Sequence, residues 1–181
     1  NSTKADQIEL IRKLFSKYSH VSVSRSNNLG VTSINATLDL SFVFLVPKHD
    51  LIEKWILASD KYLAAFSGGY TDAEGSMGIY DGRARFRLGS YDIGILGAIN
   101  KYFNKMGIET ILKIDREKGS VGGNGVVLNG DFWRITVNKK QSILRLYRML
   151  WPYLKHQKRK NDFLWARDNV LSRIGLFGSK I

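Results

Sequence analysis

Nine residues, Ser67 to Gly75, constrain the fold of this chain more than any other stretch. They read Ser-Gly-Gly-Tyr-Thr-Asp-Ala-Glu-Gly and follow a short run of helix formers that begins at Leu63. In a helix, residues three and four positions apart share a face. One face would then carry only small or acidic residues, namely Ala65, Gly68, Gly69 and Asp72. Because each glycine inside a helix costs about 1 kcal/mol relative to alanine, this bare face predicts close contact with a second helix, most simply a copy of itself.

Two carboxylates, those of Asp72 and Glu74, stand at the end of the predicted helix. If two such helices pair, these carboxylates crowd together, and clustered carboxylates repel unless they bind a hard cation through oxygen. The pattern therefore predicts a metal site at the helix end and indicates metal-assisted hydrolysis.

The same nine residues resemble the signature of the LAGLIDADG homing endonucleases. The last four positions, Asp72 to Gly75, match the pattern of that family, and Gly69 fits the small position where two motif helices touch. Ser67 and Tyr70 replace the usual aliphatic residues. The resemblance implies an α/β (α+β) fold in which residues 61–175 form one αββαββα unit. In such a unit an antiparallel, saddle-shaped sheet binds DNA, and the motif helix lies at a subunit or repeat interface.

The sequence after Gly75 has the layout of such a unit when its patterns are read by themselves. Arg83 to Leu88 alternates arginine with apolar residues, which predicts a strand with one basic face. The other predicted elements are a helix from Ser90 to about Met106, strands at Ile111–Ile114 and Trp133–Asn138, and helices from about Gln141 to Trp151 and from about Asn161 to Ile174.

The last two helices are separated by Pro152 to Lys160, a segment rich in lysine and arginine. Such a run is commonly a solvated basic loop. The corresponding segment of the family carries a lysine that approaches the scissile phosphate. The resemblance offers Lys155 and Lys158 as the candidates for that catalytic position.

The first 60 residues are patterned like the second half of such a unit, with a helix, a hairpin and a helix. Gln7 to Lys17 repeats the apolar spacing of Asp92 to Lys105, and the alternation over residues 35–42 parallels the later strand. The predicted organisation is a partial repeat or extension at residues 1–60, a complete unit at 61–175 and a tail at 176–181. An unrelated extension, or one half of a two-motif monomer whose first motif lies outside these residues, is the alternative.

Charge and composition indicate the class of partner. The chain of 181 residues has 28 Lys and Arg against 16 Asp and Glu, and from Lys139 onwards eleven basic residues face two acidic ones. Such asymmetry indicates a polyanion, of which nucleic acid is the commonest. The absence of cysteine excludes disulfides, thiolate zinc sites and thiol nucleophiles. No apolar run approaches the roughly 20 residues that span a bilayer, so we expect an intracellular protein with no membrane partner.

The resemblance and the charge together imply a site-specific DNA endonuclease. It would make a double-strand break at a long target site, with Mg²⁺ or Mn²⁺ as cofactor, and promote intron mobility. Glu74 is the expected catalytic metal ligand, the Ala73 carbonyl a further ligand, and Asp72 a catalytic or supporting carboxylate. Because one chain carries one motif, we expect a homodimer, with Ala65, Gly68 and Gly69 at the helix interface and a roughly palindromic duplex as target. The residues expected to contact DNA are Arg83, Arg85, Arg87, Lys113, Arg134, Thr136, Asn138, Lys139 and Lys140.

A non-cleaving nucleic-acid-binding protein of the same fold, such as an RNA maturase or a transcription regulator, is the alternative function. The retained Glu74 favours the enzyme, since a basic RNA-binding scaffold needs no carboxylate cluster.

Overall fold

The computed structural model describes residues 5–25, 32–46, 49–122 and 125–178. It divides into two compact units, Asn1–His49 and Asp50–Ile181. The sequence patterns predict a division near residue 60. The structure places it earlier because the short helix α2, Lys54–Leu57, packs on the helix that follows it in the second unit.

The first unit contains a helix, α1 (Ala5–Phe15), and an antiparallel hairpin of β1 (Val21–Arg25) and β2 (Thr32–Ala36). A short 3-10 helix, Leu40–Leu45, follows, and the Asp39 carboxylate caps it by accepting the Ser41 amide at 2.8 Å. None of the described residues of this unit is fully buried. The alternation over residues 35–42 predicted a strand, but β2 ends at Ala36 and the 3-10 helix begins at Leu40. The kinship of this unit with the second stays a prediction.

The second unit contains eight elements after α2. They are α3 (Asp60–Glu74), β3 (Gly75–Tyr80), β4 (Arg83–Ser90), α4 (Ile93–Lys105), β5 (Ile111–Arg116), β6 (Phe132–Val137), α5 (Lys140–Leu150) and α6 (Gln157–Gly178). Two helices therefore follow the second hairpin. The predicted αββαββα arrangement with an antiparallel sheet is confirmed.

The sheet of the second unit has the strand order β3-β4-β6-β5, and every neighbouring pair is antiparallel. The turn between β3 and β4 consists of Asp81 and Gly82, which both have positive φ, at 50° and 69°. Two successive residues of this kind form the tight hairpin turn whose twist matches that of the strands. This turn fixes the register of β3 on β4.

Strand β4 lies inside the sheet and separates a buried face from a basic one. Ala84, Phe86 and Leu88 are buried, and the arginines that alternate with them lie on the other face. The ring of Phe86 contacts those of Phe103 on α4 and Phe163 on α6, with centroids 6.3 Å and 6.0 Å apart. The helices thus cover one face of the sheet and leave the basic face open, as the period-two pattern predicted.

Helix α4 begins at Ile93, two residues later than a cap at Ser90 predicts. Ser90, the expected cap, is the last residue of β4, and its hydroxyl accepts the Asp92 amide at 3.1 Å. The carboxylate of Asp50 caps the helix instead, accepting the amides of Gly94 at 2.7 Å and Ile95 at 3.0 Å. A cap supplied from 44 residues away leaves no local signal in the sequence.

Helix α6 begins at Gln157, four residues before the predicted start, and runs to Gly178. Four residues of the expected loop, 157–160, therefore belong to its first turn, and residues 176–178 of the expected tail belong to its end. Basic residues are unfavourable at a helix N-terminus. Here the nearly buried Asp162 offsets them, because it accepts Lys158 at 2.7 Å and Arg159 at 3.5 Å.

Candidate active site and basic sheet face

The motif helix α3 ends at Glu74, and the chain turns at once into β3. A Cβ atom on Gly75 would lie 2.6 Å from the Thr71 carbonyl oxygen, so the sharp turn requires glycine. Glu74 and Ala73 are both exposed at this corner. The Glu74 carboxylate makes no hydrogen bond or ion pair with any described residue. The helix end therefore presents an unpaired carboxylate next to the first strand of the sheet.

This donor set fits a hard divalent cation. A carboxylate oxygen and the carbonyls at the negative end of a helix are oxygen donors of the kind that Mg²⁺ and Mn²⁺ bind. The described part of the chain holds no cluster of three or more Asp, Glu, His or Cys side chains that could hold a metal. Because Mg²⁺ is commonly held by one or two carboxylates together with substrate phosphates, Glu74 and the Ala73 carbonyl would form only the protein side of such a site.

The other motif carboxylate, that of Asp72, is occupied within the chain. Its Oδ2 atom accepts the amide of Lys155 at 2.6 Å and the amide of His156 at 3.2 Å. Its Oδ1 atom is buried and has no hydrogen-bond partner among the described residues. Asp72 is thus half-buried with one oxygen occupied, whereas Glu74, two residues further on, is exposed.

Of the two candidate lysines, only one has a free ammonium group. Lys155 is exposed, and its Nζ atom has no partner in the part of the chain that the structure describes. Lys158 lies in the first turn of α6, where its Nζ atom is 2.7 Å from Asp162. The Lys155 ammonium is therefore available to a ligand, whereas the Lys158 ammonium belongs to an ion pair.

Tyr70, one turn before Glu74 on α3, belongs to a polar cluster that the sequence did not predict. Its hydroxyl donates to the Asp92 carboxylate at 3.1 Å. Burial is the main reason that the pKa of Tyr70 lies above its ordinary value; a hydrogen bond with Ser90 acts in the opposite direction, and the negative charges of Asp92 and Glu74 raise it further. The sequence contained one indication of this cluster, namely a tyrosine at a motif position where aliphatic residues are usual.

The small face of α3 is divided between two environments, and this corrects the predicted interface. Gly68 is buried, and a Cβ atom on it would lie 2.7 Å from the Tyr153 Cβ atom of the same chain. Gly69 is exposed, with nothing within 4 Å of its Cβ position, and Ala65 is half-buried. Adjacent residues of a helix point about 100° apart, so Gly68 faces the core while Gly69 faces outwards. Gly69 and Ala65, but not Gly68, can therefore touch a second copy.

The basic face of the sheet extends over three strands. Arg87 on β4 lies opposite Ser76 on β3 and Thr136 on β6. Arg134 lies opposite Lys113 on β5. Because alternate residues of a strand share a face, six predicted residues lie together on the open face: Arg83, Arg85, Arg87, Lys113, Arg134 and Thr136.

Some basic residues of the open sheet face interact with another side chain of the protein, and others do not. Arg134 forms an ion pair with Asp115, whose side chain is only 17% exposed, at 2.5 Å. Arg85 forms an exposed pair with Asp81 at 3.2 Å. The Arg87 guanidinium lies 4.3 Å from the centre of the Tyr80 ring. Arg83 and Lys113 have no such partner among the described residues, so they are the two basic groups of this face that are most available to a polyanion.

The remaining three predicted contacts lie beyond the end of β6. Asn138 is exposed directly after the strand. Lys139 forms an ion pair with Glu109. Lys140 is the first residue of α5, and its Nζ atom donates to the carbonyl of Arg173 on α6 at 3.2 Å. The Lys140 side chain therefore points towards the helices and not towards the open sheet face. The alternation of the strand could not predict this direction, because Lys140 already belongs to α5.

Comparison with known proteins gives similar structures without similar sequences. No protein-family model matches the chain, and no curated protein matches it. Solved structures with a similar backbone include homing endonucleases. I-TnaI is 16% identical, with a TM-score of 0.47 over 62% of this chain and 74% of its own. I-CvuI, in complex with its target in the presence of Ca, is 16% identical, with a TM-score of 0.45 over 61% of this chain and 67% of its own. The archaeal intron-encoded I-Vdi141I, complexed with DNA, is 17% identical, with a TM-score of 0.45 over 65% of this chain and 72% of its own.

No helix among the described residues combines the length and the apolar character that crossing a membrane requires.

Proposed function

We propose that this protein is a DNA endonuclease that hydrolyses phosphodiester bonds with the help of a divalent cation. One observation carries the proposal: the exposed Glu74 stands at the corner where α3 becomes β3, the edge strand of the open basic sheet face. A duplex held on that face would bring its backbone to this corner. The nine-residue motif and the αββαββα arrangement support the same function.

Each residue of the site has a role that its environment allows. Glu74 and the Ala73 carbonyl would hold the cation, Mg²⁺ or Mn²⁺, which when bound supplies charge neutralisation on the phosphate and a more acidic water. The ammonium of Lys155 would stabilise the negative charge that develops on the phosphate. Arg83, Lys113 and their neighbours on the sheet would bind the DNA backbone and base edges.

The protein acts as a homodimer on a long, roughly palindromic duplex in this proposal. A single Glu74 cannot serve two scissile phosphates, so a double-strand break needs two chains. The outward side of α3 offers a suitable contact. Its exposed Tyr62, Gly69 and Ala73 and its half-buried Phe66 share this side, because they lie three or four residues apart along the helix. The bare Gly69 would allow the two helix backbones to approach closely. Cleavage of an uninterrupted host gene inside the cell, and thereby intron mobility, would be the biological role.

The test begins with a duplex that the immobilised full chain retains from a randomised DNA pool in the presence of Ca²⁺. This duplex is then incubated with the protein and either Mg²⁺ or EDTA. We expect a double-strand break that requires Mg²⁺ and is lost in Glu74→Gln, while affinity for the duplex is retained. Glu53→Gln is the matched control, since Glu53 is another exposed carboxylate at a helix end, the N-terminus of α2, and makes no side-chain cap.

Binding without cleavage under all metal conditions would overturn the proposal and favour a non-cleaving nucleic-acid-binding protein, such as a maturase or a regulator. Light scattering measures the mass of the protein in solution. A monomer that makes only single-strand nicks would refute the homodimer but leave the endonuclease proposal standing.

A further inference from the structure

The segment that carries Lys155 is attached to the motif helix α3 at three points. Asp72 accepts the amides of Lys155 and His156. Tyr153 packs against the bare backbone of Gly68, and Leu154 between them is completely buried. Residues 153–156 therefore follow the surface of α3 closely after α5 has ended at Leu150.

The Asp72 carboxylate is the polar part of this attachment. Amide groups just before a helix are donors that its first turn leaves unpaired, and they carry partial positive charge. A carboxylate is a strong acceptor for these two amides, because hydrogen bonds to an ionised group are about twice as strong as neutral ones. Asp72 thus fixes the start of α6 on the motif helix.

This geometry separates Asp72 from the metal ligands. Both amide contacts use its Oδ2 atom, and its Oδ1 atom is buried. A cation could coordinate Asp72 only if those amides lost their acceptor or if the buried side opened. Glu74, two residues further on, is exposed and unpaired. The two acidic residues of the motif consequently have different tasks.

We propose that Asp72 is a positioning residue: it fixes the backbone of Lys155 on the motif helix and so sets the place of the Lys155 ammonium relative to Glu74. The proposal rests on the nuclease function proposed above. The side chain of Lys155 is long and flexible, and anchoring its backbone limits the volume that its ammonium samples. The same contact makes the catalytic lysine and the metal-binding carboxylate parts of one rigid corner.

The experiment compares Asp72→Ala and Asp72→Asn with the same two changes at Asp50. Asp50 is a matched control because its carboxylate also accepts two successive backbone amides, those of Gly94 and Ile95, at the start of α4. Asparagine keeps a carbonyl oxygen that can accept the same bonds without the charge, whereas alanine removes the acceptor. Both sites lose stability, so single-turnover cleavage of the binding-selected duplex is measured well below the unfolding midpoint of each variant.

For Asp72→Ala we expect a cleavage rate lower by about 100-fold, as for a catalytic group displaced by about 1 Å, with little change in affinity for the duplex. Asp72→Asn restores most of the rate, and neither Asp50 variant changes it beyond about threefold. The midpoint of the Mg²⁺ titration stays that of the wild type in Asp72→Asn. Amide hydrogen exchange at Lys155 and His156 becomes faster in Asp72→Ala and not in Asp50→Ala.

A double-mutant cycle with Lys155→Met decides whether Asp72 acts through the lysine. If it does, Asp72→Ala causes no further loss of rate once the Lys155 ammonium is gone. Independent, multiplying losses would overturn the inference, as would a raised Mg²⁺ midpoint in Asp72→Asn, which would indicate a metal ligand. These results differ from failure of the nuclease proposal itself, in which the wild type does not cleave at all.

Discussion

The Cβ atom of Tyr153 occupies the space that a side chain on Gly68 would need, since a Cβ atom added at Gly68 would lie only 2.7 Å from it. The first of the two motif glycines therefore serves packing within the chain. Its neighbour Gly69 has open space around it. The two adjacent glycines thus have different surroundings, and substitution of each can be tested separately.

Gly68→Ala is expected to lower the free energy of unfolding by about 1 to 3 kcal/mol, the usual cost of overpacking a close contact. Gly69→Ala, on the open side, is expected to leave it unchanged or raise it by up to about 1 kcal/mol, because alanine is the better helix former. Denaturant titration at low protein concentration measures both. Equal effects of the two substitutions would contradict the division of the small face.

Lys155→Met is expected to lower the cleavage rate by about 100-fold or more if this ammonium stabilises charge on the phosphate, which rests on the proposed function. Lys158→Met should leave the rate within about threefold of the wild type and cost at most about 1 kcal/mol of stability. The cost is small because Arg159 still faces the Asp162 carboxylate after the change. Single-turnover cleavage and denaturant titration of both variants provide the comparison. A larger rate loss in Lys158→Met would reverse the assignment.

Tyr70 should ionise late when the folded protein is brought to high pH. Its pKa is raised above the ordinary value of 10.0, so the native state favours the neutral phenol. The resulting stabilisation is fully present below pH 10.0 and is lost as the pH rises through the pKa of the folded state. Ultraviolet titration should show late tyrosines that include Tyr70 and Tyr102, whose pKa is also raised, mainly by burial. Tyr70→Phe should remove one phenol from the late class, and its removal from the early class instead would refute the assignment.

Arg83 and Lys113 should account for part of the salt dependence of DNA binding. They are the basic residues of the open sheet face without a partner among the described residues. Each phosphate contact that is lost should lower the slope of log affinity against log salt by about 0.9. Arg83→Gln and Lys113→Gln are compared with Arg148→Gln, which removes an exposed charge on α5, a helix that packs on the opposite face of the sheet. An equal effect of Arg148→Gln would indicate that net charge, and not this face, governs binding.

The sequence predicted elements wherever a local period was strong. The alternation of arginine with Ala84, Phe86 and Leu88 indicated both the existence of β4 and its two faces, because side chains in a strand must alternate. Prediction from the sequence failed where a group far away along the chain accepts the amides at the start of a helix. The starts of α4 and α6 were misplaced because distant carboxylates accept the amides there: Asp50 accepts those in the first turn of α4, and Asp72 accepts those just before α6.

The sequence by itself determined the motif helix, the open basic strand and the candidate residues, since these follow from composition, spacing and the resemblance of nine residues. Only the tertiary structure decided what each candidate contacts. It turned Gly68 inwards and left Gly69 exposed, it paired Lys158 with Asp162 and left Lys155 free, and it fixed Asp72 to a distant backbone while Glu74 stayed open. The physical reason is that periodicity assigns a residue to a face of its own element, whereas its partner depends on which other element packs against that face.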